Sequence, residues 1–284
     1  MTDLVVWGPE RVGDLLSLVQ RHEGADDLTV DELLLSCHER GGVVLGHESV
    51  GAVAVALGRS ADGDLVASVR LLAPVEPTPA GLLPLLEVAE RWAAERSAPR
   101  LVLGGGLPFA LWPGVQAGST VELVAVERGY RRGRTWNAWR VPATFRADPP
   151  PGVVVRRAVR DDDVTLVMVE AAARWPRRSD EIARALEHGT CHVAMASTES
   201  GETVVGIATH SIARAGWTGP LVVVDGERRR GVGRSLLGQV CRDLMIAEFT
   251  DVVVGEVPDD VALAFLSSAG ATPDASFVTV ERRL

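Results

Sequence analysis

The sequence predicts a mixed α/β protein built from two tandem copies of one unit. Three observations carry that expectation. The same order of apolar strands and amphipathic helices occurs twice along the 284 residues. Marker positions recur at matched spacing, Val6 to Gly81 being 75 residues and Val155 to Gly231 being 76. Between the copies stands Asp148-Pro149-Pro150-Pro151-Gly152, three prolines that stiffen the chain into an extended spacer. The expected organisation is a first domain over 1–146, a proline-rich linker over 147–152 and a second domain over 153–284.

Each element follows from its pattern. Both copies open with a short apolar strand, Leu4 to Trp7 and Val153 to Val155. An acidic turn and an amphipathic helix come next, about Glu10 to His22 and Asp161 to Trp175, followed by second helices over Thr29 to Arg40 and Ser179 to His188. Runs of β-branched and small apolar residues then predict strands. In the first copy these are Gly42 to Gly46, Val50 to Gly58 and Asp64 to Ala73; in the second, His192 to Ala196, Thr203 to Ile212 and Leu221 to Val224. Leu82, Leu85, Leu86, Ala89 and Trp92 recur at helical spacing, as do Val232, Leu236, Leu237, Val240, Leu244 and Met245. The compact apolar segments Leu101 to Leu103 and Val252 to Val254 read as buried strands. A helix ending in glycine (Val121 to Gly129; Ala262 to Gly270) and a last strand close each copy. From Gly81 to Gly129 is 48 residues against 39 from Gly231 to Gly270, and the surplus is assigned to the Gly104 to Gly118 loop, read as a connection or an apolar lid.

Composition narrows the chemistry. All 29 basic residues are arginine, so a Schiff-base or lysine-base mechanism is excluded. Cys37, Cys191 and Cys241 form no CxxC pair and read as reduced thiols of a cytoplasmic protein. The net charge of −9 is shared by both copies, with 14 arginines against 18 acids through Arg146 and 15 against 20 after it, which disfavours a nucleic-acid partner. No apolar run is long enough to span a membrane. His188, Cys191 and His192 lie close together without complementary ligands elsewhere, so no metal site is expected.

Chemistry concentrates in Leu221-Val-Val-Val-Asp-Gly-Glu-Arg-Arg-Arg-Gly-Val-Gly-Arg-Ser-Leu-Leu237, where a strand passes through a polar turn into a helix. Arg228, Gly231 and Gly233 stand in the order Arg-x-x-Gly-x-Gly. Glycines let backbone approach a ligand, free N–H groups at a helix start hold an anion, and arginines add charge-assisted bonds to phosphate. A diphosphate site follows. It is not a nucleotide P-loop, because Val232 stands where lysine is required. It is not a dinucleotide fingerprint either, because Leu236 replaces the third glycine.

That strand, turn and helix resemble the acetyl-CoA diphosphate loop of the GCN5-related N-acetyltransferase (GNAT) family. The following strand, Val252-Val-Val-Gly-Glu-Val257, and Ala262-Leu-Ala-Phe-Leu-Ser-Ser-Ala-Gly-Ala271 agree with the family's later elements. The resemblance covers nearly all of 153–284 and returns in degraded form over 1–146. It implies two tandem GNAT-fold domains of mixed α/β sheet, the N-terminal copy degenerate. It also implies that Val222, Val223 and Val224 pair with the pantetheine arm, and that Arg228, Arg229, Arg230, Gly231, Val232, Gly233, Arg234 and Ser235 hold the diphosphate. The implied activity is acetyl transfer from acetyl-CoA, as cosubstrate, to the amine of a small molecule by direct attack on the thioester. An oxyanion donor near Val223 is part of that picture.

The family's acid, a tyrosine, falls on Leu266, while the only tyrosine, Tyr130, lies at the end of the equivalent helix in the other copy. Ser267, Ser268, water or unassisted thiolate departure are the substitutes. Glu256 and His210 are the candidate bases, with Asp225 at the loop entrance a third. Aligned on Gly81, the arginine position of the first copy is Thr78 and its second glycine is Leu83, in a segment whose prolines lack N–H donors. No CoA is expected there. Trp175 and Trp217 are the expected pocket tryptophans. The rival expectation is a non-catalytic acyl-CoA-binding or scaffold protein. Neither the acceptor nor the oligomeric state is readable.

Overall fold

A computed structural model of the chain describes residues 4–21, 27–39, 41–59, 64–105, 109–199, 201–257 and 260–284. The chain forms two compact units, Met1–Trp136 with Ser276–Leu284, and Asn137–Ala275. This differs from the expected division: the 147–152 segment falls inside the second unit, and the end of the chain belongs to the first. The physical reason is strand pairing, described below for each unit. The expected helix ends at His22 and Arg40 lie outside the described residues.

The first unit is a sheet with helices on both faces. Strands β1 (Val5–Trp7), β2 (Gly42–His47), β3 (Gly51–Arg59) and β4 (Leu65–Pro74) follow one another antiparallel. Strand β5 (Arg100–Leu103) pairs parallel with β4 at Ala67, Ser68 and Val69. Residues 280–283 of the last strand then pair antiparallel with β5. Strand alternation sends Val53 and Val55 under α3 (Pro79–Glu95), while Ala52 and Ala54 pack with α1 (Val12–Val19) and α2 (Val30–Leu33). The expected helix after Thr29 continues past Leu33 as a π-helical turn, Leu34–His38. Arg70, extra to the β3–β4 register, donates from Nη1 to the carbonyls of Ser36 (2.8 Å) and Glu39 (3.2 Å) at this widened turn.

The Gly104 to Gly118 surplus proves to be packed structure where it is described; residues 106–108 lie outside the described residues. Phe109 and Leu111 are buried. Strand β6 (Val115–Gln116) pairs with Phe277 and Val278. Helix α4 (Thr120–Glu127) leads to Tyr130, whose hydroxyl donates to Glu90 Oε1 at 3.1 Å. Arg128 and Arg282 reach the same carboxylate at 2.8 and 2.9 Å. Burial and the Glu90 charge raise the Tyr130 pKa, so this phenol is a structural group.

The second unit repeats the pattern. Strands β8 (Val153–Arg157), β9 (Cys191–Thr198), β10 (Gly201–His210) and β11 (Thr218–Val223) form an antiparallel sheet in the order β11-β10-β9-β8. Val193, Met195 and Ile207 face α5 (Asp161–Arg174) and α6 (Ser179–Glu187), with Val167, Ala171 and Ile182. Ala194, Val205 and Ala208 face α7 (Val232–Ile246), with Leu236, Leu237 and Val240. Strand β12 (Asp251–Val257) pairs with residues 137–142 of β7 (Arg131–Pro142). Helix α8 (Asp260–Ser267) and β13 (Thr272–Arg283) close the chain. Residues 137–142 of the first sequence copy thus pair within the second unit, and residues 280–283 of the second copy within the first. Among the described residues no helix is long and apolar enough to cross a membrane. Burial pushes the thiols of Cys37, Cys191 and Cys241 up to about 12, so none is a thiolate at neutral pH.

Candidate functional site

The site grows from the edge strand β11. On one side it pairs with β10, from Gly206 opposite Val223 to His210 opposite Thr218, with a bulge that places Gly219 and Pro220 against the single residue Thr209. On the other side a lone parallel bridge joins Trp217 to Val253, where the Val253 N–H donates to the Gly216 carbonyl at 3.0 Å. Beyond that bridge no pairing joins β11 to β12 among the described residues, and the gap between the two unpaired strands is the candidate cleft.

Alternation decides which backbone groups line that cleft. The Val224 N–H donates toward β10, to the Val205 carbonyl at 3.0 Å. Polar groups of successive strand residues point to opposite edges, so Val222 also faces β10, whereas Leu221 and Val223 present N–H and C=O to the cleft. Of the expected Val222, Val223 and Val224, only Val223 is on the open edge. Leu221 is the residue missed. Strand parity could have found it, had the pairing edge been known.

At the far end of β11 the chain makes a short 3-10 turn over Asp225–Glu227 and enters α7 through Gly231, which adopts φ +96° and leaves the helix without a side-chain cap. The leading N–H groups of Val232, Gly233 and Arg234 therefore start the helix with its positive dipole end exposed. A Cβ on Gly231 would meet no atom within 4 Å, so its glycine serves backbone conformation rather than space. Arg229 also takes a left-handed conformation, φ +61°.

Neighbouring acids orient the other arginines. Arg228 Nη2 lies 2.9 Å from Asp225 Oδ1, and its Nε donates to the Val223 carbonyl at 3.4 Å. Arg230 pairs with Glu227 at 2.5 Å, and Arg234 Nη1 donates to the Ser268 carbonyl at 3.1 Å. Asp225 is thus an ion-pair partner at the loop entrance. Ser235, in the first turn, is fully buried and its Oγ has no hydrogen-bond partner. A turn lined by arginines, a helix start with unused donors and an open strand edge together fit a nucleotide diphosphate with an extended amide-bearing arm.

Corresponding positions of the first unit are built differently. Thr78 caps α3, its Oγ1 accepting the Gly81 N–H at 3.2 Å, and Pro79 brings no N–H to the first turn. Strands β4 and β5 pair over three consecutive residues, extended by the Gly104 N–H to the Val69 carbonyl at 3.0 Å.

The two expected bases occupy different settings. Glu256 lies on β12 beyond the bridge and is ion-paired with Arg178, which also holds Glu181 at 2.9 Å. His210 is buried, with Nδ1 3.2 Å from Ser211 Oγ and Nε2 3.3 Å from Asp243 Oδ2. His192 Nε2 approaches the same oxygen at 2.8 Å, and Arg157 pairs with it too. Burial opposes ionisation of Asp243, but the hydrogen bonds from His192 and His210 and the Arg157 charge outweigh it and hold the carboxyl well below the usual carboxylate range.

These His192, His210 and Asp243 ligand atoms lie within 4.8 Å of one another, the dimensions of a metal site, and in a grouping other than the His188, Cys191 and His192 run. Two features favour a hydrogen-bonded junction. A guanidinium already occupies Oδ2, and His192 Nδ1 is buried without a partner, whereas a ligating imidazole ordinarily anchors its second nitrogen. Leu266, at the expected acid position, is 1% exposed and packs in the core with Leu236, Leu237 and Val240. Ser268 Oγ donates to the Phe265 carbonyl at 2.6 Å and accepts from Arg234. Trp175 is partly buried against the α5–α6 core, and Trp217 stands at the cleft apex.

No family model matches the chain, and no curated protein matches it. Solved structures do. A GCN5-related glucosamine N-acetyltransferase region of a fungal multi-domain GH3 β-N-acetylglucosaminidase aligns with TM-score 0.77 and 16% identity over 98% of this chain, which spans 38% of that protein. A tandem GNAT protein from the clavulanic acid biosynthesis pathway aligns with TM-score 0.70 and 17% identity, over 99% of this chain and 98% of that one. A GCN5-related N-acetyltransferase from Sphaerobacter thermophilus gives TM-score 0.67 and 19% identity, over 99% and 95%. The chain has the mixed α/β tandem GNAT fold.

Proposed function

From this fold and this cleft, we propose that the second unit binds acetyl-CoA as cosubstrate and transfers its acetyl group to the amine of a small molecule. The observation that carries the reading is the uncapped start of α7 behind Gly231, set beside a β11 edge on which the backbone groups of Leu221 and Val223 face away from β10. In this reading the N–H groups of Val232 to Arg234, with Arg228, Arg229 and Arg230, hold the diphosphate. Val223 and Leu221 pair with the pantetheine arm as an added strand. A backbone N–H at the apex end of β11 donates to the oxyanion as the amine attacks the thioester carbonyl.

Glu256 takes the ammonium proton, with Arg178 fixing the carboxylate in place. With Leu266 in the acid position, the thiolate departs without a side-chain proton donor, which a thiol of ordinary pKa near 8.5 tolerates. The first unit, with Thr78 and Pro79 closing its helix start, is proposed as a degenerate copy that holds no CoA.

Calorimetric titration with acetyl-CoA, followed by thiol release against a panel of small amines, tests the proposal. Binding with turnover of at least one amine is expected. Absence of binding overturns the reading, and binding without turnover across the panel replaces it with a non-catalytic acyl-CoA-binding protein.

A further inference from the structure

Resting on the functional reading above, we propose that Trp217, laid across Gly255, is the end wall of the cleft and restricts the acyl donor to short chains of acetyl size. The wall sits where the strands meet. Trp217 bridges Val253, and Gly255 lies two residues farther along β12, on the same face of that strand. A Cβ placed on Gly255 would come within 2.6 Å of the Trp217 ring, so the indole crosses from β11 onto β12 at the narrow end of the cleft.

The ring is fixed there. The Arg214 guanidinium stacks over it at 4.8 Å, and the Trp217 backbone is held by its N–H donating to the Arg214 carbonyl at 3.3 Å and its carbonyl accepting the Ser211 backbone N–H at 2.8 Å. Behind β12, Val252, Leu236 and Leu266 fill the core under α7. From Val223 back to Thr218 the strand covers five steps of about 3.3 Å, roughly 17 Å, comparable with an extended pantetheine arm. A donor anchored at Gly231 therefore brings its thioester to the apex, where any carbon added beyond acetyl meets the indole. Only glycine at 255 allows the ring this position.

The test is calorimetric titration of the full chain with CoA, acetyl-CoA, butyryl-CoA and hexanoyl-CoA, repeated on Trp217→Ala and Trp217→Leu. Wild type is expected to bind hexanoyl-CoA at least about tenfold more weakly than acetyl-CoA, and Trp217→Ala to erase that ratio. Trp217→Leu, which keeps an apolar side chain in place, should fall between them and decides the matter if the alanine variant fails to fold. Wild-type affinities within about threefold across the series overturn the proposal, as does a ratio unchanged in the variants. Failure of CoA itself to bind overturns the functional reading and this one together, whereas CoA binding without chain-length discrimination overturns this one alone.

Discussion

Replacing Asp243 with alanine removes the carboxylate that ties α7 to His192 on β9 and His210 on β10. Two imidazole N–H groups, His192 Nε2 at 2.8 Å and His210 Nε2 at 3.3 Å, lose their partner. His192 is 3% exposed, so water cannot substitute freely. Each stranded buried donor costs about 1–3 kcal/mol. Arg157, about half exposed, adds little, since such pairs are worth at most ~1 kcal/mol. The two donors together give about 2–6 kcal/mol, and about 3–4 kcal/mol, at the lower part of the range for breaking a buried ion pair, is the expected loss. Hydrogen exchange read by mass spectrometry on the 232–246 segment isolates this helix without assuming that the whole chain unfolds in one step. Protection there should fall about 10²- to 10³-fold, the equivalent of that free energy.

The pH dependence has a definite sign. The folded carboxyl titrates below its unfolded value of about 3.9, so its contribution is complete above that pH and is lost as pH falls toward the folded value. The gap between wild type and Asp243→Ala should therefore persist at pH 5 and narrow only below about pH 4. Protection within about threefold of wild type at neutral pH would refute the reasoning.

Two further substitutions test the site. Gly231→Ala meets no steric contact but must hold φ +96°, a strain of about 1–2 kcal/mol, so CoA affinity should fall roughly 5- to 30-fold by calorimetry; an unchanged affinity contradicts the role given to that turn. Leu266→Tyr puts a larger polar ring into a position that is 1% exposed, which overpacks the core by about 1–3 kcal/mol. The melting temperature should drop and thiol release should not rise, and a gain in turnover would show that the buried position can still deliver an acid.

What the sequence discloses is governed by locality. The strand, the left-handed glycine and the α7 start are contiguous residues whose conformations depend on one another, so the strand–turn–helix around Arg228 to Arg234 could be read before any fold was in hand. Parity along β11 needed knowledge of which edge pairs with β10, and so Leu221 went unnoticed while Val222 and Val224 were expected in the cleft. The Asp243 junction joins residues 51 and 33 positions apart, and no spacing rule brings a helix carboxylate to two strand histidines at such separations. The division of the chain was hidden for a related reason. Each copy supplies one last strand of similar character, and nothing local says which unit it completes. Three prolines made 147–152 look like the boundary, yet residues 137–142 pair with β12, and residues 280–283 pair with β5. A cut at that segment would separate β12 from its neighbour on one side and leave β5 without its own on the other. The duplication that makes the fold readable thus also conceals where its units divide, because interchangeable final strands satisfy either copy's pattern equally well.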